Sequence, residues 1–271
     1  MEIMGKIFKK KRQRDGNNLK RVIAITNQKG GVGKSTTAVN VSAYLSSYGY
    51  HTLIIDLDPQ SNSTSGMGIN PGSVKKSIYD VLISDTDPHE VIVDTAYKDL
   101  RLLPSSIQLA GAEVELVTSL KREYRLNEAV KKIEDEYDFI IIDCPPALGL
   151  LTINALSAAK EVIIPIQCEY YALEGLGQLL NTIDLVKKNL NEDLKISGAI
   201  MTMYDSRTRL SEQVIEEVKN YFNEKVYKTI IPRNIRLSEA PSYGKPIIDY
   251  DPDCRGAEAY NNFTKEVIDN G

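Results

Sequence analysis

Lys29-Gly30-Gly31-Val32-Gly33-Lys34-Ser35-Thr36 follows the apolar run Val22-Ile23-Ala24-Ile25 and leads into a helix-compatible segment from Thr37 to about Tyr48. Strand, glycine loop and helix in that order make a phosphate cradle. Three glycines in four positions let the backbone curl so that successive N–H groups face one anion, and the following helix adds the positive end of its dipole. Lys34 is placed to neutralise the β- and γ-phosphates of ATP, and Ser35 to set its hydroxyl on Mg²⁺. Gly30, Gly31, Val32, Gly33 and Thr36 complete the expected nucleotide contacts.

Two further strand-like runs end in carboxylates. Thr52-Leu53-Ile54-Ile55-Asp56-Leu57-Asp58-Pro59 is a short apolar strand with two aspartates two residues apart, a spacing that puts them on one face. At the C-terminal end of a parallel strand beside the loop they serve Mg²⁺ and the water that attacks the γ-phosphate. An Asp-Pro turn closing the strand would by itself explain Asp58-Pro59. Phe139-Ile140-Ile141-Ile142-Asp143-Cys144-Pro145-Pro146 reads as a strand buried on both faces whose terminal Asp143 holds Mg²⁺ through a water. Ser35, Asp56 and Asp143 are thus the metal candidates.

The rest of the chain alternates in the same way. Helices are expected around 78–83, 107–118, 122–137, 210–222 and from Leu176 to about Lys188. Strands are expected near 91–94, 100–103, 161–167, 195–202 and 226–231. Polar, glycine-punctuated residues 61–77 suggest a mobile loop over the site. Strands separated by helices imply one doubly wound, mostly parallel α/β sheet covered on both faces, from residue 20 to residue 271.

Composition narrows the classes. No apolar run approaches the roughly 18–20 residues of a membrane span, and the N-terminus lacks the apolar core of a signal peptide, so a soluble cytoplasmic protein is expected. Cys144, Cys168 and Cys254 are scattered and only His51 and His89 accompany them, which argues against a structural metal or iron–sulfur site. Net charge is −4, yet residues 1–21 carry eight Lys and Arg against Glu2 and Asp15. That basic arm, residues 1–19, is read as disordered: a solubilising tail, a DNA-phosphate contact, or a weak grip on anionic lipid.

The strict phosphate-loop pattern needs glycine at position 28, and Gln28 stands there instead. A second lysine, Lys29, stands five residues before Lys34. With the two aspartate-ended strands, this resembles the ParA/MinD class of deviant Walker A ATPases. Strings at Gln108–Leu116, Leu148–Leu156, Cys168–Gly175 and Ile231–Pro241 look most like the Soj-type chromosome-partition branch. The resemblance implies that Lys29 crosses a homodimer interface to reach the other subunit's ATP, with Gly30 allowing close approach. It also implies that Asp58 is needed for hydrolysis, Asp56 tuning the metal site, and that the Pro232 region packs near adenine.

Arginines matching Arg207 and Arg236 would line a face of the ATP-bound dimer that binds double-stranded DNA without sequence preference. Arg233 is the weaker candidate. The family further implies slow ATP hydrolysis, stimulated by a ParB/Spo0J-like centromere-binding partner, a nucleoid location, and partition of chromosome or plasmid. Regulation of replication initiation or transcription is the alternative output. A MinD-like membrane role is disfavoured, because Gly256–Asp269 carries Lys265 as its only cation.

Overall fold

In a computed structural model of the chain, residues 20–169, 175–222 and 225–270 are described. The basic arm and part of the 168–175 string lie outside them. Eight strands form one sheet: β1 (Arg21–Ile25), β2 (Thr52–Asp56), β3 (Val93–Asp94), β4 (Leu100–Leu103), β5 (Phe139–Asp143), β6 (Glu161–Gln167), β7 (Lys195–Tyr204) and β8 (Val226–Pro232). Their spatial order is β3-β4-β2-β5-β1-β6-β7-β8. Every neighbouring pair is parallel except β3 on β4 at the edge.

The helices are α1 (Lys34–Ser47), α2 (Asn62–Gly66), α3 (Ile78–Ser84), α4 (Leu109–Glu115), α5 (Arg125–Ile133) and α6 (Leu150–Ala158). They continue with α7 (Leu176–Asn189), α8 (Arg209–Phe222), α9 (Ile235–Glu239), α10 (Ile247–Tyr250) and α11 (Arg255–Asp269). None of the described helices is long and apolar enough to cross a membrane.

Alternation along each central strand divides the core between two faces. Val22, Ala24, Leu53, Ile55, Ile140 and Ile142 pack toward α3 to α8, whereas Ile23, Ile25, Phe139 and Ile141 pack toward α1 and α11. Because both faces are covered, these strands are apolar at every position, and each fully buried Ile or Phe contributes about 1.5–3 kcal/mol of transfer free energy. On its face α11 buries Ala257, Tyr260, Phe263 and Val267, and Tyr260 also meets the Thr37 hydroxyl of α1 at 3.1 Å. The doubly wound α/β sheet is the fold expected from the alternation of elements.

The chain departs differently from the expectation at 61–77. Instead of a mobile loop it forms α2 and a 3-10 turn at Pro71–Ser73, with Ser63 and Thr64 fully buried. The polar composition misleads because these side chains bond buried aspartates. The helices expected at 107–118 and 122–137 are also shorter, ending in 3-10 turns at Leu116–Thr118 and Glu134–Glu136.

What matters for the site is register. Ile25 pairs with Asp143, and Asp56 pairs with Asp143 on the other side of β5. The C-terminal ends of β2, β5 and β1 therefore lie abreast, beside the point where chain connections diverge to either side of β1, which is where open α/β sheets bind ligands.

Candidate nucleotide-binding site

The loop after β1 turns back on itself through Gly31 (φ 74°) and Gly33 (φ 91°), conformations in which a side chain would be strained. Gly33 then serves as the N-cap of α1, which starts at Lys34. The Val32 side chain is buried and its carbonyl accepts the Thr202 hydroxyl at 2.9 Å, which pins the loop to the end of β7. Beside this loop lies a cleft of about 620 Å³, lined by Gly30, Gly31, Gly33, Lys34, Ser35, Thr36 and Asp58 among others.

Lys34 is buried, and its Nζ donates to the Lys29 carbonyl at 3.2 Å. Burial lowers its pKa, an effect opposed by the charges of Asp143 and Asp58. Asp143 is wholly buried. Its Oδ2 accepts from Ser63 Oγ at 2.7 Å, whereas its Oδ1 has no hydrogen-bond partner. Burial raises the Asp143 pKa despite the Ser63 and Ser35 hydroxyls and the Lys34 charge. An orphaned, buried carboxylate oxygen beside the Ser35 end of the loop fits a hydrated Mg²⁺. Among the described residues no three His, Cys, Asp or Glu side chains are grouped as metal ligands, so such an ion would draw most of its oxygens from phosphate and water.

The two aspartates of β2 take different places. Asp58 lines the cleft. Asp56 sits behind it, fully buried, with Oδ1 accepting from Asp58 N (3.2 Å) and Oδ2 accepting from the Thr64 backbone N–H and hydroxyl (both 2.7 Å). Burial and the neighbouring Asp143 charge raise its pKa. With both oxygens occupied by internal donors, Asp56 holds Asp58 and α2 in place from behind the cleft. The i, i+2 spacing does put the two on one side of an ideal strand, but β2 ends at Asp56 and the chain turns there.

Pro232 is the residue expected to pack near adenine. It ends β8 against Tyr204 and is not among the cleft-lining residues. The cleft is also lined by Ala240, Pro241, Ser242, Lys245, Met203 and Pro146. Sequence reading missed these residues. Ala240 and Pro241, within the string that resembles Soj-type proteins, and Pro146, within the Asp143 motif, were the available signals.

Lys29 is not among the residues lining the cleft around the loop. It lines an adjoining hollow of about 520 Å³ with Gln28, Gly175, Gly177 and Gln178, across which Gln28 Nε2 donates to Gln178 Oε1 at 2.9 Å. Gly30 is exposed, and a Cβ placed on it would meet no atom within 4 Å. Among the described residues nothing demands glycine there.

Arg207 follows β7, and Arg233 and Arg236 follow β8, so the two arginine loops leave neighbouring parallel strands at the same edge. The Arg233 N–H donates to the Tyr204 carbonyl at 2.8 Å. Arg207 Nη2 lies 2.6 Å from Asp205, and hydrogen bonds from Arg207, helped by the Arg233 charge, depress the Asp205 pKa. Arg236 pairs with Glu239 (2.9 Å) and Asp251 (3.2 Å), and Arg233 with Glu169 (2.9 Å). All three arginines are substantially exposed. Cys144 and Cys168 are buried, their thiol pKa values raised chiefly by burial.

Comparison with known proteins agrees with this geometry. Residues 20–196 match the family described as AAA domain. The chain is 60% identical over 251 residues to the sporulation initiation inhibitor protein Soj of Bacillus subtilis, covering 93% of this chain and 99% of that protein. It is 53% identical over 248 residues to the chromosome partitioning protein ParA of Myxococcus xanthus, covering 92% and 88%. A crystal structure of cobyrinic acid a,c-diamide synthase from Mycobacterium smegmatis with bound ADP and magnesium superposes with a TM-score of 0.81 at 40% identity, covering 92% and 94%. The phosphate loop at the centre of the sheet, the aspartates abreast of it and these similarities together place the chain in the Soj/ParA family of chromosome-partitioning ATPases.

Proposed function

We propose that residues 20–271 form one ATPase unit acting as an ATP-timed dimer switch on DNA. The observation that carries it is the division between the two lysines of one loop. Lys34 is buried in the cleft, where it would bind the β- and γ-phosphates. Lys29 lines a hollow outside that cleft, where it is available to a second subunit's nucleotide. In the assembled state the partner subunit's Lys29 would meet the phosphates, and the open space around Gly30 is where the second backbone would approach.

Within one subunit the loop N–H groups and Lys34 would hold the phosphates, Ser35 and Asp143 would hold a hydrated Mg²⁺, and Asp58 would orient the attacking water. A Mg²⁺ held there would neutralise negative charge on the phosphates. Loss of the γ-phosphate removes the anion that each Lys29 answers, so the dimer loosens. Dimerisation joins two sets of Arg207 and Arg236 into one surface. Duplex affinity then rises with ATP, because counterion release and effective concentration compound. A ParB/Spo0J-like protein would stimulate the slow turnover, with the protein cytoplasmic and nucleoid-associated.

Binding of a non-specific duplex with no nucleotide, with ADP and with a slowly hydrolysed ATP analogue tests this across a salt series. Strong binding is expected only with the analogue, lost in Lys29→Ala and Arg236→Ala and retained in Asp58→Ala. Binding indifferent to nucleotide overturns it. Gly30→Val is expected to bind ATP as a folded monomer, and normal ATP-dependent dimerisation of that variant would contradict the role given to Gly30. The name of the Bacillus subtilis relative favours a second output, control of an initiation programme through the same nucleotide switch. The apolar face of α11, packed on the sheet, speaks against a membrane-docking terminal helix.

A further inference from the structure

Behind the cleft, five hydrogen bonds close a ring around the backbone of Asp58. Its N–H donates to Asp56 Oδ1 at 3.2 Å, and its carbonyl accepts from Ser105 Oγ at 2.8 Å. The two holders are joined by Thr64, whose hydroxyl donates to Asp56 Oδ2 at 2.7 Å while accepting from the Ser105 N–H at 3.0 Å. The Thr64 N–H adds a further bond to Asp56 Oδ2 at 2.7 Å. Asp56, Thr64 and Ser105 are all fully buried, and they come from three places: the end of β2, helix α2 and the loop after β4.

Each donor in the ring has one acceptor, and the Thr64 hydroxyl has one role on each side. Such a satisfied, water-excluded network fixes its members in one arrangement. A turn after β2 needs far less: the Asp58 side chain already takes the Gln60 N–H at 2.9 Å, an ordinary Asx turn. The additional clamps grip the main chain on both sides of Asp58, which lines the cleft beside the loop. They limit rotation of its backbone, and with it the direction of its carboxylate.

We propose that Ser105 and Thr64 are positioning residues for hydrolysis, acting through Asp58, and that Asp56 is their shared anchor. The inference rests on the reading of Asp58 as the residue that orients the attacking water. Its consequence is a separation of functions: the ring governs the hydrolytic step and leaves nucleotide binding, carried by Lys34 and the loop N–H groups, untouched. Misplacement of a catalytic group by a fraction of an ångström lowers rate without lowering ground-state affinity.

The test compares wild type, Ser105→Ala, Thr64→Val, Thr64→Ser and Asp58→Ala in the full chain, measuring ATP affinity with Mg²⁺ and single-turnover hydrolysis of bound ATP. Thr64→Val keeps the shape and removes the hydroxyl, whereas Thr64→Ser keeps the hydroxyl. The expected result is a fall of about ten-fold in the hydrolysis rate for Ser105→Ala and Thr64→Val, with affinity within about two-fold and Thr64→Ser close to wild type. Three results overturn the proposal while sparing Asp58: unchanged rates in both ring variants beside an inactive Asp58→Ala, affinity falling in parallel with rate, or Thr64→Ser losing as much as Thr64→Val. Hydrolysis by Asp58→Ala at the wild-type rate overturns the reading of Asp58 itself, and the ring with it.

Discussion

The central sheet carries buried charge at both ends of its strands, and the two ends handle it in opposite ways. At the N-terminal end, Arg21 of β1 and Glu161 of β6 form a bidentate pair with both N···O distances at 2.7 Å. Arg21 also donates to the Val267 carbonyl, Ser197 donates to Glu161 at 2.7 Å, and the guanidinium lies 5.5 Å from the Phe139 ring centroid. Burial pushes the Glu161 pKa up, but the hydrogen bonds and charge of Arg21 outweigh it and hold the carboxyl below its usual value.

At the C-terminal end, Asp143 and Asp58 lie near a single buried Lys34, with Asp56 beside Asp143. There burial and mutual repulsion win: Asp56 and Asp143 are raised, Lys34 is lowered and one Asp143 oxygen has no partner. The sheet thus runs from a finished ion pair at the start of its strands to an unfinished one at their ends. The unfinished end is where a cation and a phosphate would complete the electrostatics, and ligand binding there draws on charge that folding alone left unbalanced.

The contrast makes predictions, of which the largest concerns the finished end. Arg21→Ala leaves Glu161 buried without its counter-charge and should lower stability by about 3–5 kcal/mol in urea denaturation. ATP affinity of the folded fraction should be unchanged. A loss under about 1 kcal/mol would mean that the Arg21 pair is no more settled than the other end.

At the unfinished end, Lys34→Ala should weaken Mg-ATP binding by about 100-fold or more by calorimetric titration, with only minor loss of stability in the absence of nucleotide. Equal damage to stability and affinity would erase the distinction between the ends. Asp143→Asn removes the buried charge that burial disfavours, so the nucleotide-free protein should gain about 1 kcal/mol while its affinity for ATP loses its dependence on Mg²⁺. Melting curves with EDTA and with Mg-ATP would move in opposite directions; parallel movement would contradict the assignment.

A smaller effect should appear on acidification. Because the Glu161 pKa is depressed in the folded state, its contribution is present above its ordinary value of 4.5 and is lost as pH falls through the folded value. Wild type should therefore lose stability below about pH 4.5 more steeply than Glu161→Gln. Matching slopes would show that the pair does not carry the acid limb.

The phosphate loop and the two aspartate-ended strands were legible because their physics is local: glycine geometry, strand burial and a terminal carboxylate all lie within eight residues. The same holds for the alternation that specifies a doubly wound sheet. The buried ring was hidden for the opposite reason. Ser63, Thr64 and Ser105 look like ordinary loop residues until tertiary contact brings them to Asp143, Asp56 and the Asp58 carbonyl. Composition cannot tell a hydroxyl that faces water from one that satisfies a buried acceptor.

By itself, then, the amino-acid sequence determined the glycine loop between strand and helix, the order of strands and helices, and which residue types stand at the strand ends. Only the tertiary structure decided that Asp56 turns inward while Asp58 faces the cleft, that Lys34 and Lys29 part company, and that Ala240, Pro241 and Ser242 join the cleft lining. The reason is that these choices depend on register across strands and on donors from distant segments. Hydrogen-bond partners 40 to 50 positions apart in the chain leave no periodic mark along it.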